Sequence, residues 1–443
     1  MTGQRVAFHT FGCKLNQYET EALASCFRCS GFRVVTSAED ADIHVVNTCT
    51  VTARADHKAR SLIRSIARRH PNDPVIVTGC SAQTEADVLA GLAANVIVVP
   101  QSGKARLLEA PAVLAAAREA GEPLLMALRA SLAVAGASSD PFAFVVNDYS
   151  FHTRAFLKIQ DGCDCRCAYC RVPLARGGSV SLGLQEVLRR AVELEAAGRR
   201  EIVLTGVNIS AWRSEGRDLS GLLPRLLEAT RRARFRLTSI EPEAISEELI
   251  DALRDPRICP HFHIPVQSGS DDVLKRMRRR YLSERVVDGV RRLRDARQDP
   301  FIAADILVGF PGESPLDHSR TLEMIRELEF AALHVFPFSP RPGTTAASMR
   351  PAVPERVRRE RAREAAAVSS ELAGAYVRRW VGREVAVILE GRAGRRGRGV
   401  SENYLKVDVR EIPEGEAGPG RMVRARITEA GAVMGARFVD FEA

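Results

Sequence analysis

A chain of 443 residues can hold two or three domains, and 45% hydrophobic with 27% charged residues is the make-up of an ordinary soluble globular protein. No apolar run approaches a membrane span and Met1–Thr10 lacks a signal-peptide pattern, so a cytoplasmic protein without a membrane partner is expected. In that reducing compartment ten cysteines speak for metal or catalytic use over disulfides, and a formal charge of +9, mostly arginine, fits a polyanion such as nucleic acid.

Residues 1–110 read as an α/β domain. Val6–Phe8 predicts a strand, Gln17–Cys29 a helix entered through Asn16, Ile43–Val46 a strand and Ala53–Arg69 a helix. Val75–Val77 predicts the next strand, Thr84–Leu92 a helix and Val96–Val99 the last strand. Such alternation implies a doubly wound parallel sheet. Cys13, Cys49 and Cys80 then fall just past the carboxyl ends of three different strands, the edge where open parallel sheets bind ligands. One cysteine there would read as a small buried hydrophobe; the same placement three times predicts a three-thiolate site. Cys26 and Cys29 form a C-x-x-C inside the first predicted helix and are expected to be core-facing or inert, as is Cys259 before Pro260.

Residues 111–147 are the expected linker, partly helical over Pro111–Ala120 and flexible at Ala135–Ser139. Over 148–378 the alternation resumes. Strands are predicted at Ala155–Ile159, Glu201–Leu204, Phe235–Ile240, His261–Val266, Phe301–Val308 and Leu333–Phe338, with helices between them. Six such units predict a partial, TIM-like (β/α)6 barrel, whose chemistry sits at the carboxyl ends of its strands.

The loop after the first barrel strand holds four of the ten cysteines within eight residues. Cys163, Cys167 and Cys170 are spaced C-x3-C-x2-C, with Tyr169 before the last. Three thiolates suit a four-iron cluster with one iron open, whereas Cys165 as a fourth thiol would allow a zinc knuckle. Polar strand ends containing Gly206, Asn208, Glu241 and Gln267 lie on the same face and could line a small-molecule site. The run Arg276, Arg278, Arg279, Arg280 is expected to be in part a charged helix face.

An arginine-rich amphipathic helix over Pro354–Trp380 leads to 379–443, where several short strands predict a small β-barrel. Arg392, Arg395, Arg396 and Arg398 form a basic loop, expected to be flexible and to contact RNA phosphates.

C-x3-C-x2-C with an aromatic before its last cysteine, on the first loop of such a barrel, resembles the radical S-adenosylmethionine superfamily. The resemblance implies a 4Fe-4S cluster on Cys163, Cys167 and Cys170 with S-adenosylmethionine on its open iron, and Cys165, where asparagine is usual, dispensable. Gly12–Thr20, Asn47–Thr52 and Thr78–Gln83 look like the methylthiotransferase domain, which implies a second 4Fe-4S cluster on Cys13, Cys49 and Cys80. Pro265–Ser270, Val308–Glu313 and Phe338–Thr344 match further, so the likeness covers nearly the whole chain. The C-terminal strands resemble an RNA-binding TRAM domain.

Gly12–Thr20, Gln160–Cys163 and His334–Phe338 most resemble the branch acting on N6-threonylcarbamoyladenosine at position 37 of tRNA, beside branches for isopentenyladenosine and for a ribosomal-protein aspartate. Leu174 and Phe338 stand where tyrosines are usual. The C2–H of adenine is not acidic enough for acid–base chemistry alone, and the family's answer is a 5′-deoxyadenosyl radical. An unidentified low-potential electron donor is therefore expected as a partner beside tRNA. Tyr169, Gly206, Asn208, Glu241 and Gln267 are the expected S-adenosylmethionine contacts.

Overall fold

The computed structural model describes residues 4–36, 41–50, 52–133, 140–146, 149, 151–415 and 418–442. The connection expected at Ala135–Ser139 lies outside the described residues. The chain forms two compact units. One is Met1–Phe151 with Asp161–Asp164 and Cys170–Val180; the other is His152–Gln160 with Cys165–Tyr169 and Ser181–Ala443.

The first unit is built on five parallel strands in the order β2-β1-β3-β4-β5. These are β1 (Arg5–Thr10), β2 (Arg33–Val35), β3 (Ile43–Thr48), β4 (Val75–Gly79) and β5 (Val96–Val98). The sheet is covered on both faces, so β3 and β4 are buried at every residue and read as continuous apolar runs. α1 (Lys14–Cys29) follows β1, and α2 (Ala53–Arg69) is capped by Thr52, whose hydroxyl accepts from Ala55 N–H at 3.1 Å. Ile63 and Ile66 of α2 pack with Val46, Val75, Val77 and Leu89 to form the core.

The helix expected over Thr84–Leu92 is instead two pieces, α3 (Cys80–Thr84) and α4 (Ala86–Ala90). They are broken at Glu85, whose backbone leaves helical geometry and whose carboxylate is engaged by Arg60 and Arg171. α5 (Ala110–Ala120) and α6 (Leu124–Ala133) pack together after the sheet. α7 (Val172–Arg176), just beyond Cys170 in the chain, also belongs to this unit and packs on α3.

In the second unit β6 (Ala155–Lys158) leads to the cysteine loop, which the two-residue strands β7 (Gln160–Asp161) and β8 (Val180–Ser181) bracket in sequence. β9 (Glu201–Thr205), β10 (Arg234–Leu237), β11 (His261–Gln267), β12 (Phe301–Val308) and β13 (Ala332–Pro337) continue the parallel series. They pair as β6-β9-β10 and β11-β12-β13, linked by the bridges Phe235–Ile258 and Ser239–His263. Among the described residues β6 and β13 do not pair, so the six-stranded barrel is open. Its helices are α8 (Leu184–Ala196), α9 (Leu219–Ala229), α10 (Glu247–Leu253), α11 (Asp271–Arg276), α12 (Ser283–Ala296) and α13 (Pro315–Glu327).

α14 (Glu355–Arg379) packs on β13 and ends at Trp380. Beyond it, β14 (Glu384–Ala393), β15 (Arg396–Ser401), β16 (Lys406–Arg410), β17 (Met422–Glu429) and β18 (Met434–Phe441) close into a barrel ordered β14-β15-β16-β18-β17. That order, with β16 and β18 parallel and the other pairs antiparallel, is the Greek-key arrangement of OB-type barrels. The basic segment read as a flexible loop is a hairpin. Gly394 (φ +61°) and Arg395 turn β14 into β15, and Gly397 and Gly399 take the positions where a Cβ would strike Leu389 and Ile388.

The turn between β15 and β16 covers the amino ends of the open barrel's strands. Buried Arg236 donates to Ser401 O at 3.0 Å and Glu402 O at 2.9 Å, and the Tyr404 ring lies 4.1 Å from that of His261.

Candidate functional site

In the first unit the three cysteines arrive from the carboxyl ends of β1, β3 and β4. The strand order reverses between β1 and β3, the switch point at which such sheets take ligands. Two glycines let the turns converge. A Cβ on Gly12 (φ +102°) would stand 2.5 Å from Cys49 Cβ and 2.7 Å from its Sγ, and one on Gly79 (φ +96°) 2.3 Å from Thr48 O. Asn16 Nδ2 donates to Phe11 O at 2.8 Å and Thr48 O at 2.9 Å, tying the first turn to the second. Ser81 Oγ lies 2.9 Å from Cys49 O, tying the second to the third. Cys49 and Cys80 are buried and Cys13 is exposed.

Among the described residues only His263, Asp305 and His334 gather three metal-ligand atoms within 4.8 Å of one another.

Two buried cations stand behind this site. Arg176 of α7 donates to Glu19 Oε1 at 2.9 Å, Asp161 Oδ2 at 3.0 Å and Asn16 Oδ1 at 2.8 Å, and also hydrogen-bonds Cys80. Lys104 pairs with the other oxygen of Glu19 and reaches Asn47 Oδ1 at 3.0 Å. Burial pushes the Cys80 thiol pKa up, while Arg176 and Lys104 pull against it by favouring the thiolate. Arg171, directly after Cys170, bonds Thr50 Oγ1 at 3.0 Å and Glu85 Oε1 at 2.8 Å, beside Cys49 and Cys80 in sequence.

Within the cysteine loop, Cys163 N–H donates to Gly177 O at 3.1 Å and Gly162 (φ +68°) comes too close to Gly178 O for any Cβ. In the second unit Ala168 is held between Met277 O and Ala346 N–H at 3.0 and 2.8 Å, and the Tyr169 ring meets Phe310 edge-on. Arg279 Nη1 donates to Cys167 Sγ at 3.2 Å, and the same guanidinium binds Glu241. Burial pushes the Cys167 thiol up, with Arg279 opposing. Burial also pushes the Glu241 carboxyl up to about 7 against the pull of Arg279.

Of the expected cofactor contacts, Gly206 leaves room for Gln160 O, 2.9 Å from where its Cβ would be, and Asn208 N–H donates to Gln160 Oε1 at 2.8 Å. Asn208 Nδ2 points to Cys165 Sγ at 3.8 Å. Gln267 closes β11 in left-handed geometry (φ +66°). Within the arginine run the residues separate: Arg279 is buried at a cysteine, whereas Arg276 ends a helix and donates to Gly312 O at 2.9 Å.

The other cysteines separate. Cys26 donates to Leu108 O at 3.2 Å, Cys29 is exposed, and burial pushes Cys259 up to about 11. Arg392, Arg395, Arg396 and Arg398 are all exposed on the β14–β15 hairpin.

Two family models match the chain: Uncharacterized protein family UPF0004 over residues 5–99, and the Radical SAM superfamily over residues 157–325. The chain is 37% identical to the threonylcarbamoyladenosine tRNA methylthiotransferase MtaB of Treponema pallidum, across 97% of this chain and 99% of that protein. It is likewise 37% identical to MtaB of Bacillus subtilis, across 96% and 94%. A tRNA-2-methylthio-N(6)-dimethylallyladenosine synthase of Cereibacter sphaeroides is 34% identical, across 97% of each. Among solved structures, the radical S-adenosylmethionine methyltransferase TsrM from Kitasatospora setae shares the fold at a TM-score of 0.56 and 17% identity, covering 78% of this chain and 77% of that one.

Proposed function

The chain belongs to the radical S-adenosylmethionine methylthiotransferases, and on that premise we propose that it methylthiolates C2 of N6-threonylcarbamoyladenosine at position 37 of tRNA in the cytoplasm. Enzymes of this family use S-adenosylmethionine and 4Fe-4S clusters. We assign one cluster to Cys163, Cys167 and Cys170, with S-adenosylmethionine, and the other to Cys13, Cys49 and Cys80. Residues 1–110 form the methylthiotransferase domain, 111–147 a linker, 148–378 the radical domain and 379–443 a TRAM-like RNA-binding domain.

The observation that carries the two-site reading is the anchorage of the segment after Cys170. Arg171 and Arg176 are bonded among Thr50, Glu85, Glu19 and Cys80, at the sheet edge that bears the N-terminal trio. The segment that follows the last cysteine of the C-x3-C-x2-C set is thus anchored, within six residues, among side chains of the sheet that bears the N-terminal trio. When bound, the cofactors supply one-electron chemistry and sulfur, which an unactivated aromatic C–H requires.

The chain's own residues set the conditions. Arg279 steadies Cys167 as a thiolate, and Arg176 with Lys104 offsets negative charge beside Cys80. Tyr169, Gly206, Asn208, Glu241 and Gln267 are assigned to the S-adenosylmethionine side, and exposed Arg392, Arg395, Arg396 and Arg398 to the tRNA backbone. A separate low-potential protein supplies the electron.

Mass spectrometry of tRNA nucleosides from cells with and without the gene tests the assignment. The 2-methylthio form of threonylcarbamoyladenosine should vanish without it. The Cereibacter sphaeroides relative supports the dimethylallyladenosine reaction as the second reading. Loss of that methylthio product alone would establish it instead.

A further inference from the structure

A polar row that neither cysteine site uses crosses three adjacent strands of the open barrel. His263 Nε2 on β11 and His334 Nδ1 on β13 lie 3.0 and 3.2 Å from one oxygen of Asp305 on β12. Ser239 Oγ is 2.6 Å from His263 Nδ1. Burial raises the Asp305 pKa, but hydrogen bonds from the two imidazoles outweigh it and bring the group to about 2. The carboxylate is therefore ionised and can only accept, so both ring nitrogens facing it carry hydrogen.

His263 Nδ1 then accepts from the Ser239 hydroxyl and the inner half of the row is satisfied. His334 differs. Its Nε2 has no partner among the described residues, and its side chain is 57% exposed. Strand alternation puts Phe336, 36% exposed, on the same face two residues further along this edge strand. The three ligand atoms could also be read as a two-histidine, one-carboxylate metal set. Direct bonds from the two ring nitrogens to a single oxygen of Asp305 satisfy them without an ion.

We propose that His334 and Phe336 form the subsite for the base to be modified, with the Phe336 ring stacking on it and His334 Nε2 accepting a hydrogen bond from a polar substituent on its N6. This rests on the threonylcarbamoyl reading of the function. A threonylcarbamoyl group carries a hydroxyl and carbamoyl N–H groups, each able to donate to that nitrogen's lone pair. A dimethylallyl group carries no polar atom, and burying it here would strip water from the His334–Asp305 pair without replacing a hydrogen bond. The aromatic platform serves any base, so discrimination falls to His334.

Binding of three anticodon stem-loop RNAs to the reconstituted full-length protein tests this, with threonylcarbamoyladenosine, dimethylallyladenosine or plain adenosine at the target position. Wild type should hold the threonylcarbamoyl RNA about tenfold tighter than the plain one. His334→Ala should bring that ratio to about one with the Kd of the plain RNA unchanged, which also certifies the fold. His334→Gln, which keeps an acceptor, should recover part of the preference. A wild-type ratio in His334→Ala overturns the subsite and leaves the threonylcarbamoyl reading standing. A wild type that favours the dimethylallyl RNA, or none, overturns that reading and the subsite with it. Stoichiometric zinc on the wild type that is lost in His334→Ala assigns the row to a metal, and overturns the subsite alone.

Discussion

Arg279 hydrogen-bonds Cys167 Sγ at 3.2 Å. Hydrogen bonds and positive charge at a ligating sulfur favour the more electron-rich state of a cluster, so this contact would bear on how readily the cluster we assign to Cys163, Cys167 and Cys170 is reduced. Arg279→Met should lower the midpoint potential of that cluster by about 60 mV, tenfold in a one-electron equilibrium. Arg279→Lys, which keeps charge without the planar fork, should fall between. A redox titration followed by electron paramagnetic resonance reads the shift; equal potentials in all three proteins would deny Arg279 this role.

The cysteine assignments separate cleanly by substitution. Replacing Cys163, Cys167 or Cys170 with alanine should halve the iron content and abolish reductive formation of 5′-deoxyadenosine. Replacing Cys13, Cys49 or Cys80 should halve the iron too, yet leave 5′-deoxyadenosine forming while the methylthio product is lost. Cys165→Ala should keep both clusters, since Cys165 lies outside the C-x3-C-x2-C set and faces Asn208 Nδ2 at 3.8 Å. Iron analysis beside product chromatography decides it, and loss of iron from Cys165→Ala would return it to the ligand set.

Much of the fold is legible in the sequence, and the reason is local. The parallel strands carry apolar runs because both their faces are covered, and the cysteines mark the strand ends because thiols have little other reason to recur there. The buried cations were not legible. Arg176 is written into a stretch that reads as loop, and its partner Glu19 lies 157 residues away. Arg279 sits in a run of arginines that no local pattern can sort into buried and exposed. β15 was hidden differently. In Arg396-Gly397-Arg398-Gly399 the inward positions are glycines rather than hydrophobes, so a period-2 strand reads as a flexible basic loop.

The hairpin form of that basic segment makes the RNA contact we assign to it countable. Arg395, Arg396 and Arg398 are exposed on it, held in place by the β14–β15 pairing. Each phosphate neutralised on a single strand contributes about 0.7 to the slope of log K against log salt. Replacing the three arginines with glutamine should therefore lower the slope by about 2 and weaken cognate and non-cognate RNAs alike. Binding isotherms from low to moderate salt measure it. An unchanged slope would remove the hairpin from the interface.

The last expectation concerns acid stability and follows from Glu201 at the foot of the open barrel. Its carboxylate is buried between Arg236, with Nε 2.6 Å from Oε1, and Arg234, with Nε 2.7 Å from Oε2. Burial raises its pKa, but the two guanidiniums bring it far below the ordinary 4.5. A carboxyl with a depressed folded pKa stabilises the fold fully above its unfolded value. That contribution is lost as pH falls below about 4.5, at up to about 1.4 kcal/mol per pH unit. Glu201→Gln leaves two buried guanidiniums without their carboxylate and should cost about 3–5 kcal/mol at neutral pH. Because Arg236 also bonds Ser401 O and Glu402 O, the C-terminal barrel should loosen with it. Both tryptophans, Trp212 and Trp380, lie in this unit, so their fluorescence in denaturant titrations reports the loss. The gap between wild type and variant should be constant from pH 7 to about 5 and narrow below 4.5. A gap that stays constant down to pH 3 would show that Glu201 is not held ionised by the arginines.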